Sequence, residues 1–226
     1  MRLLIFITWT LFLVSDTACH ESDPPAREAQ VNPFVAAPAM ATPISFAGDS
    51  LPAEVEMAHQ AAICTLDRLI SMYESVVIRN EHPIDAWNQH ADLTRFMGRL
   101  SETDSLVPKE FLTLLVQIHD RMENREVTYQ MEDEFLGRCK LKKTRAYVRM
   151  NEEPPTIYLC PAWLEQTPGH RIATLVHETV HTLGFEHPQG TDTPNEALEL
   201  AKNYPMEARQ SPENFESLVE MYVCLH

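Results

Sequence analysis

The stretch of this chain most able to do chemistry is HETVHTLGFEH, residues 177–187. His177 and His181 stand four positions apart, so on a helix both imidazoles lie on one face and can hold a single metal ion. Glu178 flanks that face, where its carboxylate can reach a water bound to the metal rather than the metal itself. The spacing therefore predicts a zinc site with Glu178 as a general base.

A catalytic zinc ion keeps three protein ligands and one open position. His187 fits the third place of the pattern H-E-x-x-H-x-x-G-x-x-H, in which Gly184 lets the chain turn so that the last histidine reaches the ion. Asp192 lies just beyond and is the alternative third ligand. More distant candidates are Glu196, Glu199 and Glu220. The sequence leaves His187 and Asp192 both open.

The elements around these residues predict a mainly helical α+β domain. A helix from about His170 to Leu183 carries the two histidines, and Gly184 ends it. The runs RAYVRM and TIYLC, joined by a turn, predict a small β-hairpin packed on that helix. Apolar residues at helical spacing and prolines at first turns predict further helices over residues 55–77, 84–100, 109–125, 194–203 and 212–222.

Several segments in the catalytic half occur in an order that resembles the aspzincin family of zinc endopeptidases, which includes the deuterolysins and the peptidyl-lysine metalloendopeptidases. The residues that carry the resemblance are Ile157-Tyr158-Leu159-Cys160-Pro161, Pro205-Met206-Glu207-Ala208 and Pro212-Glu213-Asn214-Phe215. The resemblance implies a zincin-like catalytic domain with Zn²⁺ as cofactor and a protein or peptide as substrate. It also implies hydrolysis of peptide bonds by a zinc-bound water, with Glu178 as general base.

The family takes its third ligand from an Asp in the motif G-T-x-D-x-x-Y-G. Here the matching segment, residues 190–195, reads GTDTPN, so Asp192 comes one position early and the Tyr-Gly pair is absent. Because that Tyr helps to bind the reacting carbonyl oxygen, lysine specificity does not carry over with the resemblance. Two alternatives remain: a metzincin-like peptidase with a three-histidine site, and a non-catalytic zinc-binding lipoprotein. Glu178 argues against the latter, because a structural zinc site needs no such carboxylate.

The N-terminus predicts export. Residues 1–18 are typical of a signal peptide, with one Arg before an apolar stretch too short to span a bilayer. Ala18-Cys19 resembles the cleavage point of bacterial lipoproteins, so Cys19 is a candidate for lipidation and a membrane tether. Residues 19–52, rich in Pro and Ala, predict a flexible tether before a metallopeptidase domain at 53–226. We expect a cell-envelope lipoprotein, on the periplasmic side or the cell surface, or a secreted protein.

The cysteines fit an exported protein. With Cys19 set aside, four remain, and an even number suggests two disulfides. The interval from Cys139 to Cys160 looks like a hairpin, so we pair these two and pair Cys64 with Cys224. The sequence alone leaves the other pairings open.

The formal net charge of -15 argues against nucleic acid as a partner, because nucleic acid is a polyanion. The basic residues between Arg138 and Arg149 mostly alternate with others, which predicts the solvated face of a strand. We expect a monomer.

Overall fold

A computed structural model describes residues 52–141, 143–188 and 193–224. These residues form nine α-helices and one three-stranded sheet, which confirms the predicted mainly helical α+β fold. The helices are α1 Ala53–Tyr73, α2 Pro83–Gln89, α3 Ala91–Met97, α4 Val107–Glu123, α5 Pro161–Leu164, α6 Pro168–Thr182, α7 Pro194–Asn203, α8 Pro205–Ala208 and α9 Pro212–Glu220. A π-helical segment, Glu74–Ile78, continues α1. None of the helices in the described ranges is long and apolar enough to cross a membrane.

The sheet has the order β1-β3-β2, formed by Thr128–Met131, Thr156–Leu159 and Ala146–Arg149 respectively. The hairpin predicted for the last two strands is confirmed, since β2 and β3 pair antiparallel with Tyr147 opposite Tyr158. Strand β1 was not predicted, because no neighbouring strand is joined to it by a turn, as β2 and β3 are joined to each other. It pairs with β3 in parallel, and this pairing depends on contacts between segments far apart in the chain.

The single helix predicted over residues 84–100 is wrong. The structure divides this stretch into α2 and α3, with His90 in an extended conformation between them. The ring of His90 accepts a hydrogen bond from the backbone of Leu93 and so caps α3, while Asn88 bonds to both backbone groups of Leu100. Polar side chains that bond to the backbone in this way compete with a continuous helix.

Helix α6 lies at the centre of the fold, where it packs against α1, α4, α9 and β2. An aromatic cluster joins α1, α2, α4 and α9. The ring centroid of Phe111 lies 5.3 Å from that of Tyr73, 5.2 Å from that of Trp87 and 5.6 Å from that of Phe215. Such contacts bury large apolar areas in a defined geometry, so they fix the position of α9 relative to the rest of the core.

The cysteines differ in their state. The structure contains the Cys139–Cys160 disulfide, which joins the segment after β1 to the end of β3. Cys64 and Cys224 are both free thiols, so the predicted second disulfide is not formed in this structure. The two side chains are nevertheless close enough to form a hydrogen bond. This bond with Cys224 raises the pKa of the Cys64 thiol. The signal peptide predicted for residues 1–18 and the lipidation site Cys19 lie outside the described residues.

Candidate metal centre

Helix α6 and the turn after it bring three histidines together. His177 and His181 lie one turn apart on α6, and their ring centroids are 5.1 Å apart. Beyond the helix, Gly184 adopts a φ of +88°, a conformation that favours glycine, and the chain turns. The ring of His187 then lies 5.0 Å from His177 and 4.8 Å from His181. The three rings therefore form a triangle with nearly equal sides.

The donor atoms of this triangle fit a zinc ion. One ligand atom from each histidine lies within 4.8 Å of the others. The Nε2 atoms of His181 and His187 are 3.1 Å apart. Two nitrogens bound tetrahedrally to zinc at their usual distance would be about 3.3 Å apart. Imidazole nitrogens are also preferred zinc ligands, so the residues present suit this metal in both geometry and chemistry.

Of the other candidates for the third ligand, the structure describes Glu196, Glu199 and Glu220, and it places none of them in a cluster with these histidines. Asp192 is outside the described residues. Glu220 pairs with His170 at the first turn of α6. Glu196 and Glu199 form hydrogen bonds with residues of their own helix segment, and the described residues place neither in a candidate metal cluster. His187 is thus the sequence candidate that the described structure brings to the two helix histidines.

Glu178 is buried beside the histidines, with only 6% of its surface exposed. Burial raises the pKa of its carboxyl group to about 7, although the nearby charges of His177 and Arg138 act in the opposite direction. A carboxylate with a pKa near neutrality is suited to accept and return a proton. Arg138, expected only on a solvated strand face, therefore also contributes to the electrostatics of this site.

His181 is held in the form that binds metals. Its Nδ1 atom donates a hydrogen bond to the backbone carbonyl of Phe185 at 2.7 Å, so the lone pair is left on Nε2, which faces His187. Burial and the charge of His177 lower the pKa of His181 to about 3, which keeps the ring neutral.

His177 faces carboxylates instead, which the sequence did not identify. Its Nδ1 atom lies 3.0 Å from Glu216 and 3.6 Å from Glu213, both on α9. Burial lowers the pKa of His177, but Glu216 and the other nearby carboxylates outweigh it and raise the value to about 9. The segment Pro212–Phe215 had contributed only to the family resemblance, and no spacing rule links it to a histidine so distant in the chain.

Comparison with known proteins agrees with this picture. A family model described as lysine-specific metallo-endopeptidase, of the aspzincin type, matches residues 86–220, more than half of the chain. The structure is similar to the zinc peptidase from Grifola frondosa, with a TM-score of 0.52 and 18% sequence identity. That match covers 75% of this chain and 96% of the other, and at this identity it shows the shared fold. No curated protein matches the chain in a sequence search.

Proposed function

The chain belongs to the aspzincin family of metallo-endopeptidases, and from that premise we propose that it hydrolyses peptide bonds at a zinc centre held by His177, His181 and His187. Family membership makes the chain a zinc metallopeptidase, and the α+β fold is that of a zincin. One observation carries the assignment of the ligands: the three imidazole rings converge at 4.8 to 5.1 Å beside the buried Glu178.

We assign Glu178 as the general base. Zinc, when bound, lowers the pKa of water at the centre and polarises the carbonyl group of the substrate. The carboxylate of Glu178 takes the proton from the attacking water and then delivers it to the amine that leaves. Its burial and its raised pKa, about 7, support this role, because a base works best when its pKa is close to the working pH.

The substitution Glu178→Gln tests the enzymatic function. It keeps the size of the side chain but removes the base, so we expect kcat to fall by about 10²- to 10⁴-fold with unchanged zinc content. The family description names lysine, so the first substrates are peptides with lysine at the scissile bond and the same peptides with glutamine in its place. Full activity of E178Q would refute the assigned base. A wild-type protein that binds zinc and cleaves no peptide of a broad library would support a non-catalytic zinc-binding lipoprotein.

We further propose that the protein is exported, with a signal peptide at 1–18, a tether at 19–52 and the peptidase domain at 53–226. The apolar leader supports export, and the Cys139–Cys160 disulfide is compatible with an oxidising compartment. Acylation of Cys19 would attach the domain to a membrane. Labelling of the full chain with a radioactive fatty acid in a bacterial host, compared with Cys19→Ser, tests this, and equal labelling of both chains would refute it.

A further inference from the structure

His177 and His181 differ in the partner of the ring nitrogen that faces away from the cluster. His181 bonds to the main-chain oxygen of Phe185, which is neutral and only four residues away. The Nδ1 atom of His177 instead lies 3.0 Å from a carboxylate oxygen of Glu216, which comes from a different helix. This nitrogen is buried and forms no hydrogen bond of regular geometry among the described residues, so the carboxylate contacts of Glu216 and, farther away, Glu213 are what it faces. Glu216 is therefore the nearer of the two carboxylates that face this side of the His177 ring.

Glu216 is itself held in place from two sides. Its other carboxylate oxygen accepts a hydrogen bond of 3.1 Å from the hydroxyl of Thr174, which lies one turn before His177 on α6. Its neighbour Phe215 is fully buried and stacks on Phe111 in the aromatic core. The carboxylate is thus tied to α6 by a hydrogen bond and to the core through its own helix.

We propose that Glu216 is a positioning residue for the zinc centre, which orients His177 and keeps its hydrogen on Nδ1 so that the lone pair of Nε2 faces the metal. The inference rests on the proposed function, since it assumes that His177 is a zinc ligand. Thr174 supports the arrangement by fixing the carboxylate.

The physical reason lies in the two nitrogens of the imidazole ring. A carboxylate accepts a hydrogen from Nδ1, which selects the tautomer with a free lone pair on Nε2. Its negative charge also makes the ring a stronger ligand than a neutral acceptor would, and loss of such a partner costs metal sites about 10- to 100-fold in affinity. Glu213 is farther from the same nitrogen, at 3.6 Å, so we assign the orienting contact to Glu216.

The test compares zinc affinity, measured by competition with a chelator, in the full chain and in variants of Glu216. We expect Glu216→Ala to weaken zinc binding by about 10- to 100-fold. Glu216→Gln keeps an oxygen that can accept from Nδ1, so its affinity should lie between those of E216A and the wild type. Absorption spectra of the cobalt-substituted proteins should follow the same order, because they report the geometry around the metal.

Glu220→Gln is the matched control. Glu220 lies one turn further along the same helix and also pairs with a histidine, His170, which is outside the candidate zinc cluster. This control removes the same charge from the same helix, and we expect less than about a threefold change in zinc affinity, since it leaves the ring of His177 in place. Thermal unfolding of the metal-free variants checks that each one folds.

Three results would overturn the inference. The first is zinc affinity in a folded E216A equal to that of the wild type and E220Q. The second is E216Q no better than E216A in both affinity and cobalt spectrum. The third is a wild-type chain that binds two zinc ions and an E216A variant that binds one. This result would make Glu216 a ligand of a separate site. A wild-type chain that binds no zinc would refute the proposed function itself, and this inference with it.

Discussion

At the scale of single residues, the histidines of the candidate centre carry very different proton affinities although their rings nearly touch. The pKa of His177 is raised to about 9, whereas that of His181 is lowered to about 3. The difference follows from their partners, since carboxylates of α9 face the first ring and a backbone carbonyl faces the second. In the metal-free protein the proton therefore resides on His177, and zinc binding must release it.

We expect the metal-free protein to lose stability as the pH rises from 6.5 to about 9. The folded-state pKa of His177 is raised above its ordinary value of 6.5 to about 9, so its contribution to folding is complete below 6.5 and disappears as the pH passes the folded value. Urea unfolding of the chelator-treated protein on both sides of this window measures the effect. His177→Gln should flatten the slope, and a free energy of unfolding that rises across the window would contradict the prediction.

A pair of substitutions tests which residue is the third zinc ligand. His187→Ala should weaken zinc binding by more than about 100-fold, because it removes one of three protein donors. Asp192→Ala should change the affinity by less than about threefold, because zinc that is already held by three imidazoles needs no further protein ligand. Equilibrium dialysis against buffered zinc provides the measurement. The opposite result would assign the ligand to Asp192, as the family resemblance implies.

At the scale of elements, helix α9 matches its carboxylates to the histidines of α6. Glu220 pairs with His170 near the start of α6, and Glu216 lies against His177 near its end. The order of these contacts shows that the two helices run antiparallel. Helix α9 thus forms one wall of the candidate centre. The turn at Gly184 leads the chain from the end of α6 to His187.

The turn after α6 is tested by a matched pair of glycine substitutions. At Gly184 the φ of +88° strains any side chain, although a Cβ would meet no atom within 4 Å. We expect Gly184→Ala to lower the free energy of unfolding by about 1 to 2 kcal/mol. It should also weaken zinc binding, since His187 is reached through this turn.

Gly169→Ala is the control for this substitution, because Gly169 lies within α6 and a Cβ there would meet only Val223 at an ordinary distance of 3.9 Å. It should be neutral or stabilise the fold by up to about 1 kcal/mol, since alanine favours helices. Urea unfolding compares the two variants, and equal losses would show that the left-handed turn does not matter.

At the scale of the whole molecule, two pairs of cysteines bring together parts of the chain that are distant in sequence, and one pair is bonded in this structure. The Cys139–Cys160 disulfide joins residues separated by 21 positions and anchors the segment that contains Arg138 to the sheet. Cys64 on α1 and Cys224 after α9 lie close enough for their thiols to interact, yet they remain reduced in this structure. The second disulfide, Cys64–Cys224, therefore stays a prediction.

Removal of the first disulfide should be costly. The double substitution of Cys139 and Cys160 by serine should lower the free energy of unfolding by about 3 kcal/mol, because it frees a loop of this length in the unfolded chain. Urea unfolding under oxidising conditions measures the loss. The same change at Cys64 and Cys224 is the comparison: a similar or larger loss, with neither of these two cysteines reacting with thiol reagents in the denatured wild type, would establish the second bond, and a small loss would refute it.

The parts of the candidate site that depend on local geometry could be predicted from residue spacing. The spacing of His177, Glu178 and His181 predicts one helix face, and the β-hairpin and most helices follow equally from local patterns. The break at His90 and strand β1 escaped prediction, because side-chain bonds to the backbone and pairing with a distant strand decided them. Local sequence patterns predict helices and strands more reliably than they predict which of these elements pack together.

The tertiary structure adds which described side chains lie beside His177 and His181. The sequence left His187 and Asp192 open, and the turn at Gly184 is what carries His187 to the other two rings. Glu216 lies far from His177 in the chain and reaches it only because α9 packs antiparallel to α6. Contacts of this kind depend on how helices pack, which residue spacing within any one segment does not encode.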